Sequence, residues 1–234
     1  MNVVVVKNDK EAAEKAFQLV KTGISERRVK TLGLATGSTP LGLYGIMRES
    51  GLDVAGVMTV NLDEYVGLAA DDPQSYHFYM KEELFSHMDF METNLPNGMA
   101  ENLDLECERY EDVLAKNPVN LQILGLGING HIGFNEPGTP FDSRTHVVEL
   151  AESTREANKR FFEKEEDVPT HAISMGIASI MEADEIVLLA FGEAKAEAVK
   201  QMIKGPVTED CPASALQNHP NVTIILDEAA ASKL

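Results

Sequence analysis

The chain has 234 residues, 44% hydrophobic and 25% charged, which suits one folded α/β domain spanning residues 1–234 and excludes disordered or collagen-like classes. Its formal net charge of -18 opposes nucleic acid and anionic membrane surfaces, so an anionic ligand requires a locally positive site. Cys107 and Cys211 form no CxxC pair, and no stretch reads as a signal or membrane-spanning segment, so a reduced cytoplasmic protein is expected.

In chain order, the β-branched run Val3–Val6 predicts a central parallel strand. Asn8 or Asp9 caps a helix with Ala12, Ala13, Ala16, Phe17 and Val20 on one face, ending near Gly23. Thr31–Ala35 is the next strand, and Thr36-Gly-Ser-Thr-Pro40 turns into a helix through Leu41, Tyr44 and Met47. Val57–Leu62 predicts a third strand, stopping at Asp63-Glu64-Tyr65. Pro73 opens a helix through Phe78, Leu84 and Phe85, and Asp104 or Leu105 opens another reaching about Ala115. Leu121–Leu124 is a fourth strand. The polar stretch from Glu149 to Thr170, with a helix around Thr154–Glu163, reads as a peripheral excursion, and a lid is expected at about 149–176. Ser174–Met181 is read as helix, Glu185–Ala190 as strand, Glu193–Ile203 as helix and Val222–Leu226 as the last strand. The alternation predicts a Rossmann-like α/β fold, a mostly parallel sheet with helices on both faces.

Ligands in such sheets bind outside the carboxyl ends of the strands. Four segments sit there: Thr36–Thr39, Asp63–Tyr65, Gly125–Glu136 and Gly192–Lys195. Gly37, Ser38 and Thr39 offer hydroxyls and amides at a positive helix end, which can hold phosphate; the same pattern also serves as an ordinary capped turn. In an extended segment, only one of Asp63 and Glu64 can face a shared site. A carboxyl there can be raised by burial from its reference near ~3.9 and then act as a base. Leu124–Gly138 holds five glycines in fifteen residues, with His131 and Glu136 five apart, so the two converge only if the loop folds around something. No H-x-x-x-H or Cys/His spacing indicates a metal, and no G-x-S-x-G elbow indicates a nucleophilic serine. Gly125-Leu-Gly127 fails as a dinucleotide fingerprint, because the loop runs into Pro137-Gly138 without opening a helix.

The strings Leu34-Ala-Thr-Gly-Ser-Thr-Pro40, Asn61-Leu-Asp-Glu-Tyr-Val-Gly67, Gly125-Leu-Gly-Ile-Asn-Gly-His-Ile-Gly-Phe-Asn-Glu-Pro137 and Ser153-Thr-Arg-Glu-Ala-Asn-Lys-Arg-Phe-Phe162 together resemble the glucosamine-6-phosphate deaminase family. The likeness runs from the second strand to about Pro220. It implies conversion of glucosamine 6-phosphate and water to fructose 6-phosphate and ammonia without a metal or organic cofactor. By the same resemblance Asp63 moves a proton between C2 and C1, His131 opens the ring, and Glu136 orients His131. Gly37, Ser38, Thr39, Arg155 and Lys195 would hold the phosphate. Asn129 stands where larger members have Asp, which implies a hydrogen-bonding role. His146 and Val148 replace basic residues of the allosteric members, and the C-terminal segment of those members is missing, so an unregulated monomer is expected rather than a hexamer. The element order is also similar to 6-phosphogluconolactonases, which carry D-E-R in place of Asp63-Glu64-Tyr65. A sugar-phosphate sensor domain is the non-enzymatic reading, disfavoured by the acidic charge and the lack of a basic helix-turn-helix before residue 31.

Overall fold

The computed structural model describes residues 1–150, 152, 155, 156, 159, 162 and 167–234. Seven strands form one all-parallel sheet in the order β1-β10-β9-β6-β2-β3-β5. They are β1 (Asn2–Val6), β2 (Thr31–Leu34), β3 (Met58–Asn61), β5 (Glu92–Asn94), β6 (Leu121–Gly125), β9 (Glu185–Ala190) and β10 (Val222–Asp227). Three short strands, β4 (Asp63–Tyr65), β7 (His146–Glu149) and β8 (His171–Ser174), make a separate antiparallel sheet in the order β4-β8-β7.

Alternation along the central strands divides the core. Leu32, Leu34, Leu121, Ile123, Val187 and Leu189 pack on the face covered by α1 (Asp9–Ser25), α2 (Leu41–Glu49) and α3 (Tyr76–Glu83). Val60, Leu124, Ile186, Leu188, Ile224 and Leu226 pack on the other, beneath α4 (Leu103–Lys116), α5 (Ile177–Met181) and α6 (Ala196–Lys204). Burial on both faces is why these strands read as apolar runs rather than as alternating patterns. Three helices, α1, α3 and α4, start where Asn8, Ser75 and Asn102 supply a side-chain acceptor. Asn8 Oδ1 takes the Glu11 N–H at 2.9 Å, and Glu11 reaches back to the Lys7 N–H at 3.1 Å.

Several expectations are corrected. β1 is an edge strand, with Val3 and Val5 37% and 49% exposed, because only β10 pairs with it; a run of valines does not distinguish edge from centre. The third strand stops at Asn61, and Asp63–Tyr65 belongs to the second sheet. The helix predicted from Pro73 begins at Tyr76, where Ser75 accepts the Phe78 N–H. Ser174 ends strand β8 rather than opening a helix. The helix expected around Thr154–Glu163 falls largely outside the described residues. Leu150 N–H donates to the Thr170 carbonyl at 2.8 Å, and residues 171–176 lie in or beside β8, where Ile173 is fully buried; most of the segment between, on which the expected lid falls, lies outside the described residues. No helix among the described residues is long and apolar enough to cross a membrane.

Candidate active site

The order in which strands are added reverses between the parallel neighbours β2 and β6: the strands that follow β2 are laid toward β5, and those that follow β6 toward β10. Such a switch point opens a crevice outside the strand ends. The turn after β2 and the glycine-dense loop after β6 flank it. A Cβ built on Gly125 would lie 3.8 Å from Thr39 Oγ1, so the two segments touch.

Asp63 reaches the crevice because the backbone changes sheets at Leu62. The Leu62 N–H donates to Leu34 O at 3.2 Å, while its carbonyl accepts the Met175 N–H at 2.7 Å. Asp63 then pairs with Ser174 in β4 and is 6% exposed. Burial, and after it the negative charge of Glu64, push its carboxyl up to about 8, where it exchanges a proton near neutral pH. Glu64 turns the other way, as strand geometry requires. Its buried carboxylate accepts the N–H groups of Tyr65, Tyr76 and His77 at 2.7, 2.9 and 2.9 Å and lies 2.7 Å from His77 Nδ1. Tyr76 and His77 open α3, so Glu64 caps that helix and fastens β4 to it.

The loop after β6 folds back on itself through Gly127 N–H to His131 O at 2.9 Å. At Gly127 a Cβ would fall 2.2 Å from His131 Nδ1, so only glycine lets the ring lie there. His131 Nδ1 is 2.7 Å from Asn129 Oδ1 and 3.5 Å from Glu136 Oε2, and Asn129 Nδ2 donates to Glu136 Oε2 at 2.5 Å. An ionised carboxylate only accepts, so Asn129 turns its NH₂ toward Glu136 and its oxygen toward His131. Nδ1 therefore carries a proton and Nε2 is left to trade one with a ligand. The expected link from Glu136 to His131 runs chiefly through Asn129. At Gly133, with φ +57°, a Cβ would fall 3.1 Å from Ser174 Oγ and 3.8 Å from Asp63 Oδ2, so the loop backbone itself walls the Asp63 carboxyl. One crevice thus holds Asp63 beside the loop that carries Asn129, His131 and Glu136.

Gly37 has φ +88° in the turn before α2, and its carbonyl accepts the Tyr79 hydroxyl at 2.6 Å. Ser38 and Thr39 line a cavity of about 370 Å³ with Lys10, Glu14 and Phe191. Lys195 lies just past Phe191, at the start of α6; burial alone holds its ammonium below the ordinary lysine value, and no carboxylate pairs with it among the described residues. Arg155 Nε is buried without a hydrogen-bond partner among the described residues. Neither cation is in hydrogen-bond contact with Gly37, Ser38 or Thr39.

Residues 7–225 match the family model described as glucosamine-6-phosphate isomerases/6-phosphogluconolactonase. The chain belongs to this family. It is 61% identical, over 100% of both chains, to a glucosamine-6-phosphate deaminase of Listeria monocytogenes serotype 4b (strain CLIP80459). It is 60% identical to one from Bacillus cytotoxicus, over 99% of this chain and 88% of that one. A solved structure of a monomeric glucosamine-6-phosphate deaminase superposes with a TM-score of 0.95 at 45% identity, covering 100% of both chains.

Within this family member, two features escaped sequence reasoning. A hydrogen-bonding role was expected of Asn129, but not that its partners are His131 and Glu136 at once. Glu64 anchors α3, and nothing local in the sequence pairs it with residues 76 and 77.

Proposed function

We propose that the chain is a glucosamine-6-phosphate deaminase, converting glucosamine 6-phosphate and water to fructose 6-phosphate and ammonia. The observation that carries this reading is the whole-length likeness, at 61% and 60% identity, to relatives of that name. The geometry supports a division of labour. His131 Nε2 takes the proton of the O1 hydroxyl and returns one to the ring oxygen as the C1–O5 bond breaks, yielding the open aldehyde. Asn129 and Glu136 keep Nδ1 protonated so that Nε2 stays available. Asp63 in its ionised form removes the proton from C2 while the aldehyde oxygen takes one from solvent, and then returns its proton to C1, which leaves the C1 hydroxyl and an iminium at C2. Water adds to that carbon and ammonia departs, leaving the ketose. Asp63 suits this task because a carboxyl near 8 both takes and gives back a proton at neutral pH.

The phosphate is assigned to Gly37, Ser38 and Thr39 at the start of α2, with Lys195 and Arg155 as counter-charges. This answers the charge of -18: a few converging cations and amides outweigh a distant acidic surface that salt screens. The chain is proposed to act as a cytoplasmic monomer, in line with the monomeric relative. The test offers purified protein glucosamine 6-phosphate and, separately, 6-phosphogluconolactone. Ammonia release from the first, abolished by Asp63→Asn, is expected. Lactone hydrolysis without ammonia release would overturn the reading.

A further inference from the structure

A turn some eighty residues further along the chain touches the His131 loop on both sides of His131 and Glu136. The Ala213 N–H donates to Gly130 O at 2.9 Å, and the Gly138 N–H donates to Glu209 O at 2.8 Å. The Glu209 carboxylate also accepts the Phe141 N–H at 3.0 Å. Gly130 lies between Asn129 and His131, and Gly138 two residues past Glu136, so these contacts bracket His131 and Glu136, with Asn129 one residue outside them. The packing between them is close: a Cβ at Gly130 would fall 2.8 Å from Cys211 Sγ.

The turn is rigid for a local reason. Ser214 is fully buried, and its hydroxyl accepts the Thr208 N–H at 2.9 Å and donates to the Thr208 carbonyl at 3.0 Å. Two backbone bonds, Cys211 N–H to Thr208 O at 3.0 Å and Ser214 N–H to Cys211 O at 2.8 Å, close it further. It continues into the buried 3-10 helix Pro212–Asn218, whose Ala213 and Leu216 belong to the core beneath α6. The glycine-dense loop buries Leu126, Ile132 and Phe134 of its own, and the turn ties it down at two further points. Loops rich in glycine hold a precise geometry only when something outside them supplies it.

We propose that the turn Thr208–Ser214 is a positioning element for His131, with Ser214 keeping the turn's shape and Glu209 and Ala213 setting the distance between the two ends of the loop. This rests on His131 as the ring-opening group, but the geometric claim is testable without that chemistry. In protein carrying ¹⁵N-labelled histidine, the His131 ring signal, assigned by its loss in His131→Gln, reports the Nδ1–H tautomer directly. The expected result is a single Nδ1–H signature in the wild type. In Glu209→Ala and Ser214→Ala it shifts toward a tautomer average, and in Glu209→Gln, whose side-chain oxygen still accepts the Phe141 N–H, it is restored. With glucosamine 6-phosphate, kcat in the two alanine variants falls about tenfold with KM within about twofold, the scale of one lost positioning hydrogen bond.

Glu209 is exposed, so its alanine variant folds even if Ser214→Ala does not. A wild-type His131 signal in Glu209→Ala overturns the proposal, whether or not kcat changes, because the turn would then act elsewhere. Absence of ammonia release by the wild type would instead refute the deaminase reading and leave the histidine signal to judge the turn.

Discussion

Replacing Asp63 by asparagine should abolish turnover and make the protein more stable, by an amount that depends on pH. The folded-state carboxyl sits at about 8 against an ordinary 3.8, because folding buries it next to Glu64. A raised folded-state value means that the protonated carboxyl's stability is fully present below about 3.8 and is lost as pH rises toward and through about 8. Each unit between these values costs about 1.36 kcal/mol, so at pH 7 the ionisable carboxyl destabilises the fold by about 4 kcal/mol relative to its acid form. Asparagine has nothing to titrate. For a chain of this length that difference corresponds to a rise in Tm on the order of 10 °C. Urea unfolding of wild type and Asp63→Asn at pH 4, 5, 6, 7 and 8 measures it. The gap between the two should be smallest at pH 4, widen with pH and level off above 8. Parallel curves across that window would refute the argument that burial holds the Asp63 proton, and with it the account of this residue as a base poised near neutral pH.

Asn129→Ala should lower kcat about tenfold, and combining it with Glu136→Gln should cost less than the sum, with a coupling of roughly 1 kcal/mol in a double-mutant cycle; additive effects would mean that the two do not act through one link. Lys195→Met should raise KM for the phosphorylated sugar about tenfold, with kcat nearly unchanged and a flatter salt dependence; an unaltered KM in steady-state assays would remove Lys195 from the phosphate site. Glu64→Gln removes the charge that adds to burial in raising Asp63, so the acid limb of the kcat/KM profile should move to lower pH while the protein loses about 1 kcal/mol from the α3 cap; an unmoved limb would show that burial alone holds the proton.

Much of this protein is legible from residue order alone. Strands buried on both faces, such as Ile123–Leu124 and Ile186–Leu189, must be continuous apolar runs, and α1, α3 and α4 carry their own caps at Asn8, Ser75 and Asn102, so alternation and the parallel sheet follow largely from local chemistry. Glycine density marked the loop around His131, and the strand-end position marked Asp63, because both features lie within a few residues of the groups they serve. What remained hidden depends on contacts far apart in the chain. Whether Val3–Val6 is central or at the edge is decided by the number of neighbours a strand acquires, which its side chains do not encode. The second sheet forms only when Asp63 meets Ser174, more than a hundred residues away. The raised carboxyl of Asp63 comes from water excluded by several elements at once, and the routing of Glu136 to His131 through Asn129 comes from a loop fold that the turn at Thr208–Ser214 helps to hold. Sequence by itself nominated the residues proposed to carry the chemistry. Tertiary structure decided their protons, because burial and hydrogen-bond partners are properties of an assembled neighbourhood rather than of a string.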